Sequence, residues 1–199
     1  MQEFTTKSPQ VLSRLCTILR NGGVAAIPTE TVYGLVALWD NQAARDKIYE
    51  LKARPAQKRL QMLAPTVQAA VKAGVVADRR LEKLARAFWP GALTVVARAT
   101  GENDSIGLRI PAHPFVLALL EELGSPLAAT SANLSGQAAG LTALEAVSGL
   151  TGKPDALVDG GNVATIGGAA STVVSILGDA PVILREGPIT IEQITKALE

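Results

Sequence analysis

The stretch from Gly22 to Trp39, GGVAAIPTETVYGLVALW, constrains the fold of this chain more than any other. Two glycines lead into a short apolar run, Val24 to Ile27. The run breaks at Pro28 into Thr29-Glu30-Thr31 and continues as Val32-Tyr33-Gly34-Leu35. A short apolar run bounded by glycine and proline reads as a buried strand. A buried strand opening into a hydroxyl-rich loop is where α/β proteins place small-molecule sites, at the carboxyl end of the sheet. Thr29 and Thr31 each donate and accept a hydrogen bond, and Glu30 accepts only. An ordinary strand followed by a Pro-Thr turn has the same local pattern.

Around this stretch, helical and strand signals alternate. Ser8-Pro9 reads as the N-cap and first position of a helix that Gly22 stops. Asn41 caps a helix ending before Pro55, because the residue before proline avoids the helical region. Leu60 to Leu63 is a strand, Thr66 to Ala73 a helix, and Asp78 starts a stronger helix that Trp89-Pro90-Gly91 ends. Strands follow at Leu93 to Ala97 and Ile106 to Ile110, separated by a turn, Gly101 to Asp104. Pro114 to Leu123 is helical, and Pro126 to Thr130 is a strand opening into Ser131-Ala132-Asn133. Thr142 to Val147 is helical; Ala156 to Val158, Thr172 to Leu177 and Val182 to Leu184 are strands. Thr190 and Gln193 form a capping box for the last helix. The pattern predicts an α/β single domain over residues 1–199, a twisted mixed β-sheet with flanking helices.

Composition excludes several function classes. One cysteine, Cys16, and one histidine, His113, exclude disulfides, zinc clusters and paired-histidine metal sites. Cys16 falls on an apolar helix face and His113 at a helix start, so both read as structural. The net charge of +1 gives no global field toward nucleic acid or membrane. Apolar runs stop short of the ~20 residues a spanning helix needs, and MQEFTTKSPQ lacks the order of a secretion signal. The expected location is cytoplasmic, with no membrane contact.

Five stretches hold candidate chemistry. Arg45 to Leu60 carries Arg45, Lys47, Lys52, Arg54, Lys58 and Arg59 against Asp46 and Glu50, a local charge of +4. Lys52, Arg54 and Lys58 flank a helix end, where they either satisfy carbonyls or reach an anion. No Walker-type or dinucleotide-binding glycine loop accompanies them, so any nucleotide must be held by side chains and irregular loops. Ser131-x-Asn133 packs hydroxyl and amide groups at a strand end, as a helix-capping turn also does. Arg109 lies in an apolar strand, SIGLRIP, where a charge needs a partner, either within the protein or on a substrate. Ser171 follows Gly167-Gly168, and Arg185 sits in Leu184-Arg185-Glu186-Gly187; glycines there permit close backbone approach or simply a tight turn.

The words PTETVYGL, K-x-R at Lys52 to Arg54, PGALT at Pro90 to Thr94, SIGLRIP, TSANLSG and the Ser171-Thr172-Val173-Val174 to Arg185 region resemble the YrdC family, the threonylcarbamoyl-AMP synthases, in that family's order. The resemblance implies a YrdC-like fold and a nucleotidyltransferase making L-threonylcarbamoyl-AMP and pyrophosphate from L-threonine, bicarbonate or CO2, and ATP. It implies catalytic roles for Lys52 and Arg54. It implies ATP contacts from Arg54, Lys58, Ser105, Ser131, Asn133 and Arg185, and threonine contacts from Thr31, Arg109, Ala129 and Ser171. It implies no metal held by the protein itself, with Mg2+ expected to arrive on the nucleotide. The product would pass to a partner enzyme forming threonylcarbamoyladenosine in tRNA. Some family members carry a further C-terminal domain, for which this chain is expected to be too short.

The sequence departs from the family at Arg59 (commonly proline), Leu63 (histidine), Ala138-Ala139 (Pro-Ser), Ala170 and Ser175 (acidic residues) and Val36 (glycine). These departures allow a paralogue using another acceptor amine. A different class is a double-stranded RNA or tRNA-binding module without catalysis, using the +4 stretch. Only 4% aromatic residues argue against base-stacking single-strand binding, though not against duplex recognition by shape.

Overall fold

Apolar runs without polar alternation, such as Val24 to Ile27, need cover on both faces of a sheet, and the fold supplies it. The computed structural model describes residues 1–101, 104–165 and 168–199. Glu102 and Asn103 of the expected 101–104 turn, and Gly167 of the Gly-rich run, lie outside the described residues. In chain order the elements are β1 (Gln2–Thr5), α1 (Val11–Arg20), β2 (Ala25–Ile27), β3 (Gly34–Leu38), α2 (Gln42–Leu51) and β4 (Gln61–Leu63). Then come α3 (Val67–Lys72), α4 (Arg79–Phe88), β5 (Leu93–Arg98), β6 (Ser105–Arg109), α5 (Pro114–Leu123) and β7 (Leu127–Ser131). The chain continues through α6 (Ala143–Ser148), β8 (Ala156–Asp159), β9 (Thr172–Ser175), β10 (Val182–Arg185) and α7 (Ile191–Leu198).

The described strands form one sheet in the order β1-β8-β2-β3-β7-β4-β6-β5-β9-β10. Pairings β1/β8, β2/β8, β4/β6 and β5/β9 are parallel and the others antiparallel. This is the mixed sheet the sequence predicts.

Residue alternation divides the core. Ala25 and Ile27 of β2 and Val36 of β3 pack with Leu15 and Leu19 of α1 and Leu119 and Leu120 of α5. Val24, Ala26, Leu35 and Ala37 turn the other way, onto Ala44 and Ile48 of α2 and Ala146 of α6. This half of the sheet is therefore covered on both faces. The half built from β4, β6, β5, β9 and β10 is covered on one face, by Leu81 and Leu84 of α4 and Ile194 of α7 against Val95, Leu108 and Val174. Its opposite face has no helix over it among the described residues and carries the site described below.

Local signals explain most boundaries. Asn41, Thr66 and Asp78 accept the N3 amides of Ala44, Ala69 and Leu81, and Thr142/Glu145 and Thr190/Gln193 close capping boxes. Each cap contributes about 1 kcal/mol. Gly23 is required by space: a Cβ there would meet the Ile18 carbonyl oxygen at 2.8 Å. One expectation is corrected. Ser8-Pro9 does not start α1; the Ser8 hydroxyl accepts the Thr5 amide at 2.9 Å, tying off β1, and the helix begins at Val11 after Gln10 at φ 58. The stretch after the threonine loop, for which the sequence pattern assigns no element, is strand β3, paired to both β2 and β7.

Candidate active site

The bare face forms the floor of a cleft of about 550 Å³. Ser105, Gly107 and Arg109 of β6 and Thr94 and Val96 of β5 face into it, while Ile106, Leu108 and Val95 face the core behind. Gln61, Val173, Arg185 and the β7 residues Ala129 and Ser131 extend the floor, and Thr31 and Ser171 stand at its rim. Eight of the eleven residues singled out from the sequence line this cleft: Thr31, Arg54, Ser105, Arg109, Ala129, Ser131, Ser171 and Arg185.

Three do not line it. Lys52 is 1% exposed. Its ammonium donates to the backbone oxygens of Ser131 and Asn133, the latter at 2.6 Å, and lies 3.5 Å from Asn133 Oδ1. Asn133 in turn donates from Nδ2 to the Leu134 and Gln137 carbonyls at 2.6 and 2.8 Å. The K-x-R and S-x-N words therefore meet, but through a buried staple between the end of α2 and the loop after β7. Lys58 is exposed; its carbonyl, not its ammonium, is engaged, accepting Arg54 Nε at 2.7 Å. A charge run in sequence did not distinguish an inward lysine from an outward one.

The hydroxyl protons have fixed directions. Thr29 Oγ1 gives its proton to the Val32 carbonyl at 2.7 Å, so the 2.8 Å contact with Thr31 must be donated by Thr31. Thr31 Oγ1 also accepts from Arg109 Nη1 at 3.0 Å. Thr94 gives its proton to Gln61 Oε1 at 3.0 Å, so Ser171 donates to Thr94 at 2.9 Å while accepting from Arg185 Nη2 at 3.0 Å. Thr31 and Ser171 thus keep only a lone pair for a ligand, and each suits an N–H donor such as an amine.

Four arginines line the cleft, Arg54, Arg59, Arg109 and Arg185, and among the described residues no aspartate or glutamate does. Arg109 is 3% exposed and has an internal carboxylate partner: its Nη2 lies 2.5 Å from Glu30 Oε1, off the hydrogen-bonding direction, so the contact is an ion pair and not an aligned bond. Its Nε donates to the Gly91 carbonyl at 3.1 Å. Glu30 Oε1 also accepts the Ala112 amide at 2.8 Å. Arg185 grips the Ser171 carbonyl through Nε and Nη2 at 3.0 and 2.8 Å. Burial first, then the positive charges of Arg109 and Arg54, lower its pKa; burial lowers that of Arg54 as well. Mutual repulsion of this kind remains until an anion enters. Gly187 keeps the wall close: a Cβ there would strike the Thr172 amide.

The lining residues missed by sequence reasoning are Gln57, Gln61, Thr94, Gly107 and, as a ligand-facing group, Arg59. Period-two alternation in SIGLR and LTVVA was the signal available for Gly107 and Thr94. Of the departures from the family pattern, Arg59, Ala139 and Ala170 line the cleft, whereas Val36 and Leu63 are core residues. His113 occupies the N-cap position of α5, and burial lowers its pKa. Among the described residues no three His, Cys, Asp or Glu side chains gather as metal ligands, and none of their helices is long and apolar enough to cross a membrane.

Lys52 gives a pH prediction. Burial, then Arg54, pushes its pKa from 10.5 down to about 8. Between those values the unfolded chain holds the proton and the native state does not, so stability rises with pH across that window, by up to about 3 kcal/mol. Below pH 8 both states are charged and the fold bears the full cost of the buried ammonium. Urea unfolding at pH 7.5, 9 and 10 should show this slope in the wild type and lose it in Lys52→Met. Equal slopes would show that Lys52 is not its source.

The family model Sua5/YciO/YrdC, described as "Telomere recombination", matches residues 17–187. The threonylcarbamoyl-AMP synthase of Bacillus subtilis (strain 168) is 39% identical over 201 residues, covering 96% of this chain and 57% of that protein. The threonylcarbamoyl-AMP synthase of Pyrococcus abyssi (strain GE5 / Orsay) is 38% identical over 189 residues, covering 90% of this chain and 55% of the relative. The chain thus spans a little over half the length of these relatives. The crystal structure of P. abyssi Sua5 complexed with L-threonine superposes with a TM-score of 0.89 at 31% identity, over 99% of this chain and 60% of that one. E. coli YciO shares the fold, with a TM-score of 0.84 at 24% identity over 97% of this chain and 98% of its own. With the family model covering most of its length and two relatives well above 30% identity, the chain belongs to the Sua5/YciO/YrdC family.

Proposed function

We propose that this protein is an L-threonylcarbamoyladenylate synthase. The observation that carries the reading is the cleft itself: four guanidinium groups with no carboxylate lining it among the described residues, beside two hydroxyls that offer only lone pairs. That is a polyanion site next to an amine site. Relatives bearing the name threonylcarbamoyl-AMP synthase, and a homologue crystallised with L-threonine, support the same reading.

In this reading Thr31 and Ser171 accept N–H bonds from the threonine amine, Arg109 faces its carboxylate, and Ala129 contributes backbone. Ser105 and Ser131 contact the nucleotide, and Arg54 and Arg185 hold positive charge beside its phosphates. Lys52 and Asn133 act indirectly, by fixing the loop that carries Ser131. The amine is carbamoylated by bicarbonate or CO2. A carbamate oxygen then attacks the α-phosphorus of ATP, the bond from that phosphorus to the bridging oxygen breaks, and pyrophosphate leaves. Positioning and electrostatics carry such a transfer, with little covalent work for the protein. Among the described residues no carboxylate lines the cleft to hold a resident Mg2+, which favours acidic oxygen ligands; in this reading Mg2+ arrives on the nucleotide substrate. The product would serve a cytoplasmic tRNA-modifying partner.

The test is pyrophosphate release from ATP and bicarbonate, with and without L-threonine, and with L-serine as control. Release that requires threonine is the expected result. No release with any amino acid, from folded protein, would overturn the reading; release with another amine and not threonine would reassign the acceptor.

A further inference from the structure

The four arginines of the cleft differ in how far the protein already commits them. Arg109 is engaged through all three nitrogens, with Gly91, Thr31 and Glu30. Arg185 holds Ser171 through Nε and Nη2. Arg54 donates from Nε to the Lys58 carbonyl and from Nη2 to the Arg59 carbonyl at 3.0 Å. Arg59 uses Nη1 alone, on the Ser105 carbonyl at 3.2 Å and, at the limit of a hydrogen bond, on Ser105 Oγ at 3.5 Å. Its Nε and Nη2 have no partner among the described residues. It is also the exposed end of a turn that Arg54 braces from beneath, with Leu60 buried behind it as an anchor.

Position separates Arg59 from the amino-acid end of the cleft. Arg59 is tethered at Ser105, the first residue of β6, and Arg109 is the last. Four residues of strand at about 3.3 Å each put these two backbone positions roughly 13 Å apart. Arg59 Nη1 sits on the Ser105 carbonyl, whereas the Arg109 guanidinium sits among Gly91, Thr31 and Glu30, so the two offer separate anion contacts. A ligand that satisfies Arg59 carries a second anionic group, well away from the first.

We propose that Arg59 is a phosphate-binding residue that takes the terminal, pyrophosphate-forming part of a nucleoside triphosphate. This rests on the proposed function for the identity of the nucleotide, but the anion site is testable without it. Arginine presents two parallel N–H groups to phosphate oxygens, which a proline or a lone ammonium at this position cannot reproduce. Arg54 then has a second role besides its charge: it positions the turn that delivers Arg59.

The experiment compares wild type, Arg59→Ala and Arg59→Lys in two assays. Calorimetric titration with inorganic tripolyphosphate reads the anion site directly. Steady-state pyrophosphate release reads KM for ATP and for L-threonine separately. Arg59→Ala should weaken tripolyphosphate binding and raise KM for ATP by about tenfold or more, as loss of a charged hydrogen bond predicts. KM for threonine should stay within about twofold, and Arg59→Lys should recover part of the affinity. Unchanged tripolyphosphate affinity in Arg59→Ala would overturn the proposal. So would an equal rise in both KM values, which would mean that Arg59 supports the cleft's shape. If the wild type releases no pyrophosphate with any amine, the proposed function fails, and the tripolyphosphate titration still decides Arg59.

Discussion

Arg109→Met should destabilise the protein by about 3–5 kcal/mol, the usual cost of leaving one partner of a buried ion pair alone. The residue left behind is Glu30, whose Oε1 would keep only the Ala112 amide and whose Oε2 is already buried without a partner. Loss of the guanidinium also releases Thr31 Oγ1 and the Gly91 carbonyl. The double variant Glu30→Gln, Arg109→Met should regain a substantial part of the loss, because no uncompensated charge remains. Urea denaturation of the two singles and the double would measure the coupling. A single variant within 1 kcal/mol of wild type would remove the pair as the anchor of the threonine loop.

On the proposed function, the expected loss for Arg54→Ala is in catalysis: pyrophosphate release falls by about 100-fold or more, the scale on which small misplacements of reacting groups act. Stability should change by only about 1–2 kcal/mol, since two hydrogen bonds to exposed turn carbonyls disappear. The loss has two sources, one charge fewer in the cleft and a 55–59 turn freed from its brace. They separate in Arg54→Lys. A lysine keeps the charge, but one ammonium cannot reach the Lys58 and Arg59 carbonyls as Nε and Nη2 do. Arg54→Lys should therefore stay close to Arg54→Ala in KM for ATP. Recovery to near wild type in the lysine variant would mean that charge alone matters and that the turn needs no brace.

Much of the fold was legible because its signals are local. Caps at Asn41, Thr66, Asp78, Thr142 and Thr190 are short-range hydrogen-bond devices, and each is formed where the sequence places it. What the sequence hid are pairings over long separations. Gly34 to Leu38 runs straight on from the threonine loop, and nothing in its neighbours shows that β7, nearly a hundred residues later, will pair with it. β1 is only four residues long, with one buried, and acquires its identity from β8. The site was legible in its residues more than in its geometry. Arg109 needed a partner by any reading of its apolar strand, yet which carboxylate supplied it depended on Glu30 arriving from 79 positions away. Lys52 shows the opposite limit: the sequence allows a lysine at a helix end either carbonyls or an anion, and only the fold shows its ammonium buried on the carbonyls of a distant loop.

The strand order has a consequence for how the molecule comes into being. Gln2 pairs across to Ala156, and Leu93 to Thr172, so the sheet closes largely through contacts between distant segments. Chains rich in such contacts fold slowly, because loop closure precedes the contacts that reward it. The cleft draws on residues from Thr31 to Arg185. During synthesis it therefore cannot exist until Arg185 has emerged, and a nascent chain that stops short of it exposes the β4-β6-β5 floor without its β9-β10 wall. Ligand affinity in this protein should appear late and all at once, as a reporter of completed assembly.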